Sequence, residues 1–564
     1  MKIWSITFLF LAVLPGHLCS QALAGMGGWT GGGWLHCMQD AGLYPGLIST
    51  PLFSHSRACA SCHDGLIDSR GRDVSFFSDW SSTMMANAAR DPLWQAKVHS
   101  EIIRNPHLKA VIEERCSRCH MPMANAEARI TGGRVELIEH GLFSAAHPLH
   151  ALAIDGISCT SCHQIQPGKL GSREGTSGNF GIDPIAARPY RPLFGVSQNP
   201  LAMPMVRRSG FIPLYGSHMD EPELCATCHT LYVPVVDKDG AVVGESPEQT
   251  PYLEWRQSAF GNKGGRDYMS CQQCHMPEIE GHAVIARMPR RLLPRNGFGL
   301  HHMVGGNAFI LTLLRENPIE TELTAAPWAI ERTLSRIRQR LSNRTATIAI
   351  DRLEPKEAVL EIRVRVTNRT GHKFPTAFPS RRAWIHLAVT DRAGQVLFRS
   401  GEPHPDGSIA GNEADRDLSS YEPHYDVIES PDQVQIYEAI MMDTDDKVTY
   451  TFLRAKEHRK DNRLLPSGFD KDKADPDTRV HGEASMDQNF VGGSDLIAYR
   501  VGLGNSEGPY SVKAELLYSS VSHAFLQDLI SQADKSSYID RFKRLFGKAD
   551  KLPPVISAAE KKLQ

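Results

Sequence analysis

The chain has 564 residues, 41% hydrophobic and 22% charged, with a formal net charge of -2. That length suits two or three domains, and the near-neutral balance excludes a basic nucleic-acid or membrane-binding face. The unusual counts are 12 cysteines and 24 histidines.

Residues 1–24 read as an export signal. Lys2 supplies a thin basic region, Ile3 to Leu14 an apolar core too short to span a bilayer, and Ala22-Leu23-Ala24 a small-x-small cleavage site before Gly25. Cys19 departs with the signal, and Cys37 stays behind as an unpaired thiol, read as buried or incidental. No later stretch is apolar and long enough to cross a membrane. The mature chain is therefore expected in the periplasm or another extracytoplasmic space, the cell surface included.

Residues 25–320 carry one pattern five times: Cys59-Ala-Ser-Cys62-His63, Cys116-Ser-Arg-Cys119-His120, Cys159-Thr-Ser-Cys162-His163, Cys225-Ala-Thr-Cys228-His229 and Cys271-Gln-Gln-Cys274-His275. Cys-x-x-Cys-His is the attachment motif of covalent haem. Each thiol adds across one vinyl group of the same porphyrin, and the next residue offers an imidazole to the iron. Paired cysteines also build zinc sites or small redox disulfides, but neither requires a histidine after every second cysteine. Five haem c groups are expected, with porphyrins replacing much of the aliphatic core in a region broken by many Gly and Pro residues.

His63, His120, His163, His229 and His275 each give one axial ligand, and the sixth position separates carrier from catalyst. The region's other histidines are His36, His55, His99, His107, His140, His147, His150, His218, His282, His301 and His302. They outnumber the irons, so full bis-histidine ligation is expected. His55, His150 and His218 lie just before motifs, where they can cap a neighbouring haem. His301 and His302 precede a helix start at Gly305-Gly306-Asn307, which can hold an imidazole inward. These five are the candidate distal ligands; Met121 and Met276 read as packing residues.

From 321 to 345, Ile330, Leu334, Ile337 and Leu341 recur at helical spacing among charges, predicting an amphipathic connector helix. Beyond 346 the period becomes two. Leu360 to Val366 alternates cleanly, and shorter runs at Trp384–Val389, Val434–Tyr437, Val448–Phe452 and Tyr510–Leu517 predict an all-β, sandwich-like domain over 346–525 without cysteine. Residues 526–564, with Phe542, Leu545 and Phe546, predict a helical tail. The fold class is thus multidomain, a mainly α and irregular haem domain followed by a β-sandwich.

The motifs, together with Trp80 to Pro92, Asp155-Gly156, Pro251-Tyr-Leu-Glu254-Trp255 and His301 to Asn307, resemble exported bacterial multihaem cytochromes c, loosely the tetrahaem cytochrome of ammonia oxidisers and the hydroxylamine-oxidoreductase class. Thr370-Gly371-His372-Lys373-Phe-Pro375-Thr376 and Pro379-Ser-Arg381-Arg382-Ala-Trp384 resemble the β-domain attached to many such proteins. The resemblance implies electron transfer with redox partner proteins, other cytochromes or quinol-linked membrane complexes. It also implies an alternative, an oxidoreductase acting on a small nitrogen or sulfur oxyanion. No Cys-x-x-Cys-Lys motif marks a catalytic haem of the ammonia-forming type, so a carrier is favoured over an enzyme. Within the second segment, His372, Lys373, Arg381 and Arg382 either reach a haem propionate, supply His372 to an iron, or form a solvated proline-rich turn.

Overall fold

The computed structural model describes residues 49–563. The expected export signal, His36 and Cys37 lie outside them. No helix among the described residues is long and apolar enough to cross a membrane.

Three motifs lie wholly within helices, Arg57–His63, Lys109–His120 and Cys271–His275; the third fills Cys159–Cys162 with His163 as the C-cap, and the fourth starts at the end of Pro222–Ala226 and continues through the turn after it. Residues three and four apart share a helix face, so such a turn directs two thiols and an imidazole to one side. The longer helix Pro92–Arg104 starts with Asp91 accepting from Leu93 N at 2.9 Å and with Pro92 in the first turn, the usual stop for orphan amides. Asn307 caps helix Ala308–Glu316 in the same way, through Ile310 N. The region is not purely helical and irregular. Arg191–Gly195 pairs in parallel with Phe211–Tyr215, and Leu231–Val236 pairs antiparallel with Val242–Gln249.

The connector forms as Pro327–Arg340. Its apolar stripe, Ile330, Leu334 and Ile337, joins one continuous core with Leu93 and Leu311 on one side and the β-sheet residues on the other. Its polar face grips the region of the five motifs: Arg332 and Arg336 each donate to Asp79 at 2.8 Å, and Thr333 hydrogen-bonds Ser82 at 2.7 Å.

Two sheets follow. One orders Ala346–Lys356, Val359–Asn368, Ser494–Gly502 and Val427–Ile428; the other centres on Arg382–Thr390 and Tyr510–Ser519. Alternation decides their faces, since Leu360, Ile362, Val364 and Val366 are fully buried beside Ile385, Leu387 and Val389 of the other sheet. Burying each such side chain contributes roughly 1.5–3 kcal/mol.

Two expectations need correction. Val448–Phe452 is not a strand, because its backbone is spoken for elsewhere. The Tyr450 carbonyl accepts from Lys97 Nζ at 2.7 Å, and Phe452 N donates to Glu101 Oε1 at 2.8 Å, both on helix Pro92–Arg104. The tail is helical only over His523–Ile530 and Ser537–Lys548; Val555–Leu563 is a strand paired antiparallel with Tyr510–Ser519. The sheet therefore extends past 525 to residue 563, its Ala-Ala-Glu-Lys-Lys run hiding a half-exposed edge.

Candidate functional site

Four of the five motif histidines are oriented alike. His63 Nδ1 donates to Ile285 O (2.8 Å), His120 to Ala88 O (3.1 Å), His163 to Phe194 O (2.6 Å) and His275 to Val304 O (2.9 Å). A carbonyl on Nδ1 fixes the tautomer and leaves Nε2 as the lone-pair nitrogen, the arrangement that orients metal-bound histidines. Burial holds the rings neutral, pushing His120 down to about 4 and His275 to about 3. A protonated imidazole cannot ligate, so these rings are ready at neutral pH.

The thiols discriminate between the rival chemistries. All ten motif cysteines, Cys59, Cys62, Cys116, Cys119, Cys159, Cys162, Cys225, Cys228, Cys271 and Cys274, are unpaired, with no disulfide among them. Among the described residues, ligand atoms of three or more potential metal-binding side chains converge only at His424, Asp487 and Asp495, far from any thiolate set. There His424 is already engaged, with Asp487 on Nε2 at 3.1 Å and Gln435 on Nδ1 at 2.8 Å. The motif turns fit covalent haem, and zinc sites do not close around them.

Two ring pairs stand out. His163 and His301 have centroids 6.3 Å apart and planes within 16°; His275 and His372 are 6.5 Å apart and within 14°. A metal–imidazole nitrogen bond is about 2.0 Å, and the ring centre lies roughly 1.1 Å behind the nitrogen, so two imidazoles on one metal place their centroids roughly 6.2 Å apart. His301 is half-buried, and desolvation pushes its pKa down to about 4, so it is also neutral.

The remaining distal candidates are bound differently. His302 Nε2 faces Asp79 at 3.4 Å, within the ion cluster of Arg332 and Arg336. His150 uses both ring nitrogens, on Leu142 O (2.9 Å) and Glu322 (3.0 Å), and presents neither to a metal. His218 Nε2 holds Ile165 O at 2.9 Å, and His55 Nε2 lies 3.3 Å from Asp155. These contacts bind segments together: His55, Ser54 and Ser56 tie the first motif to Asp155 and Thr160 of the third. Arg381 and Arg382 also have protein partners, the Thr376 carbonyl and Asp415 respectively.

The motifs are neighbours. A hydrogen bond with Cys59 holds the Cys159 thiol well above its usual range, and one with Cys228 does the same for Cys119, as does Cys271 for Cys225. Independent contacts agree. Gly178 N donates to Thr227 O at 2.7 Å, while a Cβ on Gly178 would meet Cys119 Sγ at 2.9 Å, so only glycine fits between the second and fourth motifs. Gln272 donates to Glu221 O at 2.7 Å, joining the fifth motif to the fourth. The fourth motif thus sits at a junction, with the second and fifth beside it.

Sequence reasoning overlooked the carbonyl partners, which leave no signal in side-chain identity. It also overlooked a fully buried ion network between helix Pro251–Arg256 and the β-region. There Glu254 pairs with Arg463 (2.9 Å), Arg463 with Asp461 (2.8 Å) and Lys373 with Asp461 (2.7 Å).

No family model matches this chain, and no curated protein does. A solved structure to which it is similar is a penta-heme cytochrome c552 from Thermochromatium tepidum, at 15% sequence identity and a TM-score of 0.48, covering 91% of this chain and 100% of that one.

Proposed function

We propose that this is an exported pentahaem c-type cytochrome that passes electrons between redox partner proteins. The observation that carries the reading is the repeated site: five short motifs on or just after helix ends, each offering two thiols and a histidine, four of those histidines with Nδ1 locked to a carbonyl. When bound, the haems supply reversible one-electron chemistry. The chain contributes neutral axial imidazoles, thiols for attachment and adjacent motif turns that bring the centres close. His163 and His301 would both hold the iron of the third motif's haem, and two imidazole ligands would favour a lower potential than histidine–methionine ligation.

Paramagnetic resonance on oxidised His301→Ala and His302→Ala proteins tests the ligand assignment. His301→Ala is expected to convert one haem in five to high spin while all five remain attached. His302→Ala is expected to leave the low-spin spectrum unchanged. The reverse pattern overturns the assignment of His301. A wild-type protein that already holds a high-spin haem and binds nitrite or hydroxylamine overturns the carrier reading in favour of an oxidoreductase.

A further inference from the structure

We propose that His372, carried by the β-region, is the sixth ligand of the iron held by the fifth motif, so that the β-region completes a redox centre in addition to covering it. The proposal rests on the haem reading above.

His372 lies across a gap from His275, 6.5 Å between ring centres with planes 14° apart. That spacing is too wide for face-to-face contact at roughly 3.5–4 Å, and it matches the separation of two imidazoles on one metal. The His163–His301 pair shows the same geometry. In both rings of the fifth-motif pair, Nδ1 is occupied by a backbone carbonyl: Val304 O for His275 (2.9 Å) and Lys373 O for His372 (2.8 Å). Each ring therefore has only Nε2 left as a lone-pair nitrogen.

The loop that carries His372 is held from two sides. On the β-side, Asn368 Nδ2 and Thr370 Oγ1 donate to the His372 carbonyl at 2.9 and 2.8 Å. On the haem side, Glu254 accepts from Lys373 N at 3.1 Å and from Thr376 Oγ1 at 2.6 Å. A Cβ on Gly371 would come within 3.2 Å of Trp255 and Phe260, so the loop packs tightly against helix Pro251–Arg256 and the turn after it. Arg463, Asp461 and Lys373 complete the buried network around Glu254. Buried ion networks cost about as much in desolvation as they return, and their best-attested use is to fix one geometry. Here the geometry fixed is the seat of His372, and Arg340, donating to Cys274 O at 2.7 Å, fixes the motif it faces.

The test uses the full mature chain with His372→Ala and His372→Met, each measured by pyridine haemochrome, intact mass and paramagnetic resonance. Five haems are expected in both variants. His372→Ala should convert one haem in five to high spin, and added imidazole should return it to low spin. His372→Met should instead show a new sulfur-to-iron absorption band and one raised midpoint potential, neither of which a structural role for His372 would produce. An unchanged low-spin spectrum in both variants, with five haems retained, overturns this proposal and leaves the haem reading standing. A wild-type chain without covalent haem overturns the reading itself.

Discussion

Arg463→Met is expected to destabilise the protein by about 3–5 kcal/mol, because it leaves buried Glu254 without its ion-pair partner and Asp461 with Lys373 alone. Arg463 is the side chain that ion-pairs with both Glu254 of the five-motif region and Asp461 of the β-region. Methionine fills the volume but supplies no charge, leaving Glu254 to Thr376 and a backbone amide. Thermal unfolding followed by circular dichroism should show the loss. Arg500→Ala, which removes an exposed pair with Glu429, should cost less than about 1 kcal/mol. Equal effects would mean that the interface does not depend on the network. The pH dependence has a definite sign. Burial alone would raise Asp461, but Arg463 and Lys373 hold it well below the usual carboxylate range. A depressed folded pKa gives stability that is complete above the unfolded value of about 4 and lost as pH falls through the folded value. The wild type should therefore hold its stability from pH 7 to pH 5, whereas in Arg463→Met burial raises the carboxylates that lose Arg463, so the penalty should be largest at pH 7 and shrink toward pH 5 as they take up protons.

The second large effect concerns the junction. Replacing Cys225 and Cys228 by serine is expected to damage more than one centre, whereas replacing Cys59 and Cys62 should remove one. The fourth motif touches the second through Gly178 and the fifth through Gln272. The apolar residues of this region form several small clusters, such as Leu66 with Phe298 and Ala226 with Trp255. Small clusters cannot hold a fold when a cofactor at their meeting point is missing. The haem-to-protein ratio checks this: four for the first-motif variant, and three or fewer, or no folded protein, for the fourth-motif variant. Four in both would show that the centres are independent.

What the sequence could reveal followed from local rules. Cys-x-x-Cys-His is a five-residue pattern set by one covalent geometry, and the alternation of Leu360 to Val366 is set by one buried sheet face. Failures came where distant segments decide. Val448–Phe452 has strand composition, yet Lys97 and Glu101, some 350 residues away in sequence, take its backbone groups. Val555–Leu563 reads as a charged tail until Tyr510–Ser519 is beside it. Distal ligation is the same problem. His301 and His302 are adjacent in sequence, and only the third dimension puts one opposite His163 and the other on Asp79. His150 has the proximity a ligand needs, but Leu142 and Glu322 occupy both its nitrogens.

The measurement that bears most directly on the central claim is the haem content of the matured protein, by pyridine haemochrome together with intact mass and metal analysis. Five motifs with paired thiols and carbonyl-locked histidines predict five covalent haems and five irons per chain, on a polypeptide beginning at or near Gly25. Bound zinc, cysteines recovered as disulfides, or fewer than four haems on properly matured protein would contradict it.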